Sequence, residues 1–323
     1  MKKSVAIVLA VLTAAIASAQ AQTYPSKPIT IIVPFAAGGQ SDALARAILD
    51  RMRVTLGQPV IIENIAGAGG TIGVARAARA SPDGYTAVIG NWGSFVVSAA
   101  VYSLSYDVLR DFEPVALLAT EPTVIVARKT FPANDLRELI AWLKNNPDKA
   151  SVGASGVGGP SHIFGVFFQK ETGTRFQIVP YRGAGPAIQD LLAGQIDIMI
   201  TGPTILLNLV RAGNIKAYAV TAKTRMAAAP DIPTVNEAGL PGFYLQVWHG
   251  VWVPKGTPKD VVGSLNTAIV DALADSAVRS RFADFAQDIF PREQQTPEAL
   301  SAFHKAEIEK WWPVIREAGI KAQ

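Results

Sequence analysis

No cysteine occurs in the 323 residues, which excludes disulfides, thiolate metal sites and a lipid anchor on cysteine together. Histidine is nearly as scarce. His162, His249 and His304 lie far apart with no paired spacing, so no metal site is expected and none of the residues points to a cofactor. Charged residues make up 17% of the chain against 49% apolar, the balance of a globular chain with ample core material. No sign of charge dominates: the net charge is +4, Lys2 and Lys3 supply two of those charges, and the other basic residues form no stripe or run. That excludes a nucleic-acid footprint. The one sustained apolar segment near the start, Val5 to Ile16, is shorter than the ~20 residues a membrane span needs. It follows Lys2-Lys3 and precedes Ala17-Ser18-Ala19-Gln20-Ala21, the pattern of an export signal over residues 1–21, with Ala21 favoured over Ala19 as the cleavage site.

Enzyme fingerprints are missing as well. "GASGV" at 153–157 lacks the last glycine of a nucleophile elbow, which removes Ser155 as a nucleophile. "GAGGTIG" at 67–73 has Ile72 where a dinucleotide loop needs its third glycine, and no phosphate-cradling G-x-x-x-x-G-K-[ST] exists. Asp42, Asp190 and Asp197 form no acid–base pair by spacing: Asp42 supports the helix it begins, Asp190 lies on a helix face, and Asp197 opens a strand at the end away from a ligand. His304 falls in a charged helix and is expected at the surface. Trp311 and Trp312 close an amphipathic helix and are expected to pack.

What the chain does contain is a repeated order of apolar strand, small-residue loop and helix. Ile29 to Val33 is a near-continuous apolar run, broken by Pro34 and Ala-Ala-Gly-Gly, after which Leu44, Ala45, Ile48, Leu49 and Met52 recur at helical spacing. Val60–Ile62, Tyr85–Ile89, Thr123–Val126, Ser151–Gly153, Phe176–Val179 and Ile196–Ile200 repeat the strand signal, each followed by a glycine- or proline-marked turn. Such alternation predicts an α/β fold with mostly parallel sheets flanked by helices. Two such sets joined by two crossings, near 121–127 and 240–250, predict two lobes. The first is discontinuous, 22–123 with 244–323, and the second is 124–243, with a ligand cleft between them.

Ligands in open α/β sheets bind at the carboxyl ends of the strands. Four small-residue loops fall there: Ala36–Asp42, Gly90–Ser94, Ala154–His162 and Thr201–Pro203. A helix start carries orphan N–H donors and a partial positive charge, so these loops suit an anion. His162, at a helix start in one of them, is a candidate hydrogen-bond donor.

Seven segments carry a resemblance: "YPSKPITIIVPFAAGGQSDALAR" (24–46), "LGQPVIIENIAGAGGTIG" (56–73), "SPDGYT" (81–86), "YDVLRDFEPVALLA" (106–119), "VPYRGAGPAIQDLLAGQID" (179–197), "DIPTVNEAGLPGF" (231–243) and "WHGVWVPKGTP" (248–258). In this order they resemble the Bug-type substrate-binding receptors of tripartite tricarboxylate transporters. The resemblance implies a two-lobed type II periplasmic binding protein, monomeric and not an enzyme, that captures a small organic carboxylate and delivers it to membrane subunits. Backbone donors are implied at Phe35, Ala36, Ala37, Gly38 and Gly39, and facing contacts at Ser155, Gly159, Ser161 and His162, with Tyr181 and Thr201 beside them. Gly39 is the position where a side chain is expected to block close approach. In "GNWGS" Asn91 and Ser94 join the site. Trp92, bulky for the family, either stacks on a flat ring of the ligand or packs beneath its loop. An enzyme on the same scaffold, acting on a small carboxylate, is the alternative.

Overall fold

A computed structural model describes residues 24–155, 158–181, 183–204 and 206–320. The expected export signal over 1–21 lies outside the described residues. Two sheets organise the rest. Strands β1 (Ile29–Val33), β2 (Val60–Asn64), β3 (Thr86–Asn91), β4 (Phe112–Pro122), β10 (Gln246–Pro254) and β11 (Asp288–Ile289) form one, in the order β11-β4-β10-β3-β1-β2. Strands β5 (Val124–Arg128), β6 (Ser151–Ser155), β7 (Gln177–Tyr181), β8 (Ile198–Thr201) and β9 (Ile215–Val220) form the other, in the order β7-β6-β8-β5-β9.

The sheets are mixed rather than mostly parallel. β1 pairs in parallel with β2 and β3, and β6 with β7 and β8. The strands that carry the chain between sheets run the other way: β10 is antiparallel to β3 and β4, and β5 to β8 and β9. One apolar run in the sequence, Leu117 to Val126, therefore serves two sheets. It ends β4 at Pro122, turns at Thr123 and begins β5 at Val124. Thr123 is knitted to the returning chain, its N–H donating to Thr221 Oγ1 at 3.0 Å and to the Leu245 carbonyl at 3.3 Å.

Helices cover both sheets. In the first set, α1 (Gln40–Leu56) buries Leu44, Ala45, Ile48, Leu49 and Met52, the apolar face its spacing predicts, and stops at Gly57 with φ +64°. α2 (Thr71–Ala78) and α3 (Ser98–Val101) follow β2 and β3. In the second set, α4 (Leu136–Asn145) begins at Asp135, whose side chain accepts the Glu138 N–H. α5 (Pro160–Thr172), α6 (Ala184–Ala193) and α7 (Leu206–Arg211) complete it. The tail forms α8 (Lys259–Ala274), α9 (Ser276–Asp284) and α10 (Pro297–Glu317), the last capped by Thr296 accepting from Ala299.

α10 connects the two bodies of core. Trp311 is buried as expected, its ring 5.0 Å from Phe167 and 5.8 Å from Phe164, both on α5. Trp312 donates Nε1–H to the Val96 carbonyl. His304 is not at the surface. It is 2% exposed between Trp248, Trp252 and Phe95, meets the Phe95 carbonyl through Nε2 at 3.0 Å, and burial pushes its pKa down to about 4. The charged pattern of α10 hid it because Lys305, Glu309 and Lys310 point outward while His304 and Glu307 turn inward.

Candidate functional site

A cleft of about 420 Å³ lies between the sheets. Three helix starts reach it: α1 through Gln40, α5 through Pro160 and Ser161, and α6 through Ala184. The first N–H groups of a helix have no carbonyl four residues back, and the aligned peptide dipoles place positive charge there. Asn91 at the end of β3, Ser155 at the end of β6 and Thr201 at the end of β8 also line it, with Glu121 and Thr123 at the crossing and Thr204 beyond Gly202. Phe164, Ile188 and Val247 supply apolar wall. Among the described lining residues there is no lysine or arginine.

Of the residues expected to touch a ligand, Asn91, Ser155, Ser161 and Thr201 are brought together here. Ser155 is the most telling. Its Oγ is buried and has no hydrogen-bond partner among the described residues. Its backbone N–H donates to Ser161 Oγ at 2.7 Å, so β6 and the start of α5 are fastened together around a spare hydroxyl. A buried polar group left without a partner costs ~1–3 kcal/mol, which a ligand oxygen would recover.

The turn after β1 is built differently. Ala36, Ala37 and Gly38 are exposed, and none of Phe35 to Gly39 lines the cleft. Gly38 N–H donates to Asp42 Oδ2 at 2.9 Å and Gly39 N–H to the Ala36 carbonyl at 3.2 Å. Asp42 also accepts from Arg46 Nε at 2.9 Å and from Asn64 Nδ2 at 3.0 Å. The Arg46 bond first, helped by those from Gly38 and Asn64, holds its pKa down at about 2. Asp42 thus supports its helix, as expected, and in doing so occupies a donor that the sequence offered to a ligand. The residue with a left-handed backbone is Gly38, φ +80°, whereas Gly39 has φ −76°.

Five further expected contacts lie outside this lining. Trp92 is 0% exposed, its ring 5.0 Å from Phe164 and 5.2 Å from Trp311. It lies behind the Phe164 wall, so it cannot stack on a ligand. Ser94 is buried and folded into its own turn, its Oγ accepting from Asn91 N–H at 3.1 Å. His162 uses Nδ1 to accept the Gly158 N–H at 2.8 Å, and burial lowers its pKa. Tyr181 donates to Asp190 Oδ2 at 2.7 Å, and burial together with that carboxylate pushes its pKa up to about 12. Gly159 is the N-cap of α5, one residue outside the lining. Asp197, at the far end of its strand, pairs with Arg128 at 2.8 Å and Ser151 N–H at 2.9 Å.

Gln40, Pro160 and Gly202 also line it and fall in the loops expected to face a ligand, whereas Glu121, Thr123, Phe164, Ala184, Ile188, Thr204 and Val247 complete the lining and were not expected. For Glu121 a signal existed: it is a lone carboxylate inside an apolar run, "VALLATEPTVIV".

Two α/β lobes with a small cleft at their strand ends define the fold of a periplasmic binding protein. The chain belongs to the tripartite tricarboxylate transporter receptor family, whose profile, described as "Tripartite tricarboxylate transporter family receptor", matches residues 44–320. Protein BugT of Bordetella pertussis is 36% identical over 312 residues, spanning 96% of this chain and 95% of that protein. MatC of Rhodopseudomonas palustris, solved with bound malate, is 39% identical with a TM-score of 0.76, covering 90% of this chain and 100% of that one. A second R. palustris protein, solved with adipate, is 32% identical with a TM-score of 0.77, covering 92% of this chain and 99% of that one.

Proposed function

We propose that this chain is exported to the periplasm, binds a small organic carboxylate in the cleft between its lobes, and presents it to the membrane subunits of a tripartite tricarboxylate transporter without transforming it. The observation that carries the reading is the convergence of three helix starts on a cleft that also holds the Ser155 hydroxyl, unpaired among the described residues. Neutral donors and helix dipoles attract an anion without a full ion pair. That suits a receptor that must release its cargo. The malate and adipate held by two relatives are carboxylates, which supports the same ligand class here. We assign polar contact to Gln40, Asn91, Ser155, Ser161, Thr201 and Thr204. Closure is expected about the two crossings at Thr123 and Leu245.

A melting screen over mono-, di- and tricarboxylates tests this. A ligand at 100 times its dissociation constant stabilises the fold by ~2.7 kcal/mol and raises the melting temperature. Mass spectrometry of the recovered ligand is expected to show it unmodified. A panel that shifts nothing would overturn the receptor reading, and a converted ligand would favour the enzyme alternative.

A further inference from the structure

Glu121 is the one ionisable side chain among the described residues that line the cleft, and it is 6% exposed. It stands at the end of β4, just before the chain crosses at Thr123. Its Oε2 accepts from Gln40 Nε2 at 2.7 Å, and its Oε1 accepts from Thr204 Oγ1 at 3.2 Å. Both donors are neutral, so they solvate the carboxylate without neutralising it. None of the ion pairs among the described residues includes Glu121.

The facing loop leaves room for this group. A Cβ at Gly202 would lie 2.7 Å from Oε1 and 3.0 Å from Cδ of Glu121. Gly202 has no left-handed backbone to require glycine, so what it provides is space. An ionised carboxylate offers about four lone-pair sites, of which Gln40 and Thr204 use two. The remaining acceptor capacity borders the cleft.

A plain carboxylate bound at the helix starts would share this cleft with a second negative charge. Two carboxylates sharing one site repel, and the pKa of one of them is pushed up. A ligand that also carries a donor turns the repulsion into a charge-assisted hydrogen bond, the stronger kind. We propose that Glu121 determines specificity: among small carboxylates it selects those bearing an ammonium or hydroxyl donor, which sits on Glu121 while the ligand's own carboxylate sits at the helix starts. The inference rests on the carboxylate-receptor reading. Burial raises the pKa of Glu121, as expected for a carboxylate awaiting a partner.

Calorimetry on matched probes tests the proposal. Succinate, malate and aspartate share one skeleton and differ only in hydrogen, hydroxyl or ammonium at one carbon. Butyrate, 2-hydroxybutyrate and 2-aminobutyrate repeat the series with a single carboxylate, and adipate with 2-aminoadipate extends it. The wild-type protein is expected to bind the donor-bearing members about tenfold to a hundredfold more tightly, the size of one hydrogen bond to a charged group. The ammonium arm should exceed the hydroxyl arm if charge compensation dominates. Glu121→Gln keeps the shape, and circular dichroism is expected to show an unchanged fold while the ratio within each series falls toward one. Donor-free members binding as tightly as their partners would overturn the proposal, as would a ratio that survives Glu121→Gln. Equal weakening of every member would also overturn it, showing Glu121 to be a tie between lobes through Gln40 and Thr204. If no probe of either kind binds either protein, the proposal for Glu121 fails, while the receptor reading stands or falls on the wider melting screen.

Discussion

Ala36–Asp42 leads from β1 into α1, and Ser155–His162 leads from β6 into α5. Each joins a parallel strand to a helix through a turn containing glycine, and in sequence both read as cradles for an anion. In the first, the Asp42 carboxylate reaches back to Gly38 N–H and gathers Arg46 and Asn64, so the glycine donor there is spent within the turn. In the second, the Ser161 hydroxyl fastens the Ser155 N–H and leaves the Ser155 hydroxyl, beside the cleft, without a partner among the described residues. Glycine in a loop marks where the backbone can turn. What a ligand can use is decided by which donors the protein has left unspent.

Acid should affect the first region most. His249 meets Ser41 Oγ, in the first turn of α1, at 3.0 Å through Nε2, and burial pushes its pKa down to about 3. His304 is pushed down to about 4. An unfolded histidine takes its proton near 6.5, so below that pH the unfolded chain binds more protons than the fold, and stability falls as pH falls. Each histidine contributes up to about 1.4 kcal/mol per pH unit. The loss continues down through about 4 for His304 and about 3 for His249. Glu121 and Glu307, whose folded values burial raises, act in the opposite sense and reduce the net slope. Urea midpoints measured from pH 7 to 4 are expected to decline, and less steeply in His249→Gln. An identical slope in the variant would remove His249 from the account.

Asp42→Ala comes next in size. It strips a buried carboxylate from three donors, each bond to a charged group being worth ~1.5–3 kcal/mol before the exposed Arg46 is discounted for screening. We expect a stability loss of about 3 kcal/mol in denaturant titration, with ligand affinity of the folded protein changed by less than about threefold, a change of roughly half a kcal/mol. A large affinity loss at unchanged stability would reverse the comparison and return the first turn to the binding site.

Ser155→Ala should do the opposite. Removing the unpaired hydroxyl leaves the Ser161 bond to the backbone in place, so stability should hold or rise slightly. Affinity for the carboxylate that shifts melting most should fall about tenfold to a hundredfold, one hydrogen bond to a charged group. Calorimetry showing wild-type affinity would leave the second turn as inert as the first.

Much of the fold was legible because burial writes a period into the chain. The α1 face and the strand runs were read from residue spacing, and the chain passes from one sheet to the other at Thr123 and back before Gln246. Strand direction was not legible, since an apolar run looks the same either way. The site was legible only in part. Ser155, Ser161, Asn91 and Thr201 sit at strand and helix ends that spacing can locate. Whether a donor there is free depends on partners far along the chain, as with Asn64 for Asp42 or Thr204 for Glu121, and no local pattern records that. Trp92 shows the same limit: a loop position suggested the cleft, and Trp311, more than two hundred residues away, holds it behind the wall.

The smallest effect separates the two glycines of the first turn. Gly38 has φ +80°, where an L side chain is strained although nothing lies within 4 Å of an added Cβ. Gly38→Ala should therefore cost about 1 kcal/mol through backbone strain alone. Gly39 has φ −76° and ψ 170°, which any residue adopts, and an added Cβ would meet only the Ala36 carbonyl oxygen at 3.2 Å. Gly39→Ala should be within about 0.5 kcal/mol of wild type, because relief of backbone entropy in the unfolded chain offsets the tight contact. Neither change should alter carboxylate affinity by more than about twofold, since the Gly38 and Gly39 N–H groups are already bonded to Asp42 and Ala36. Denaturant titration and calorimetry on the two variants read both quantities. If Gly39→Ala instead abolished binding while Gly38→Ala did not, a ligand would have to approach the backbone at Gly39. The first turn would then open on closure of the lobes and release its N–H groups to the cargo.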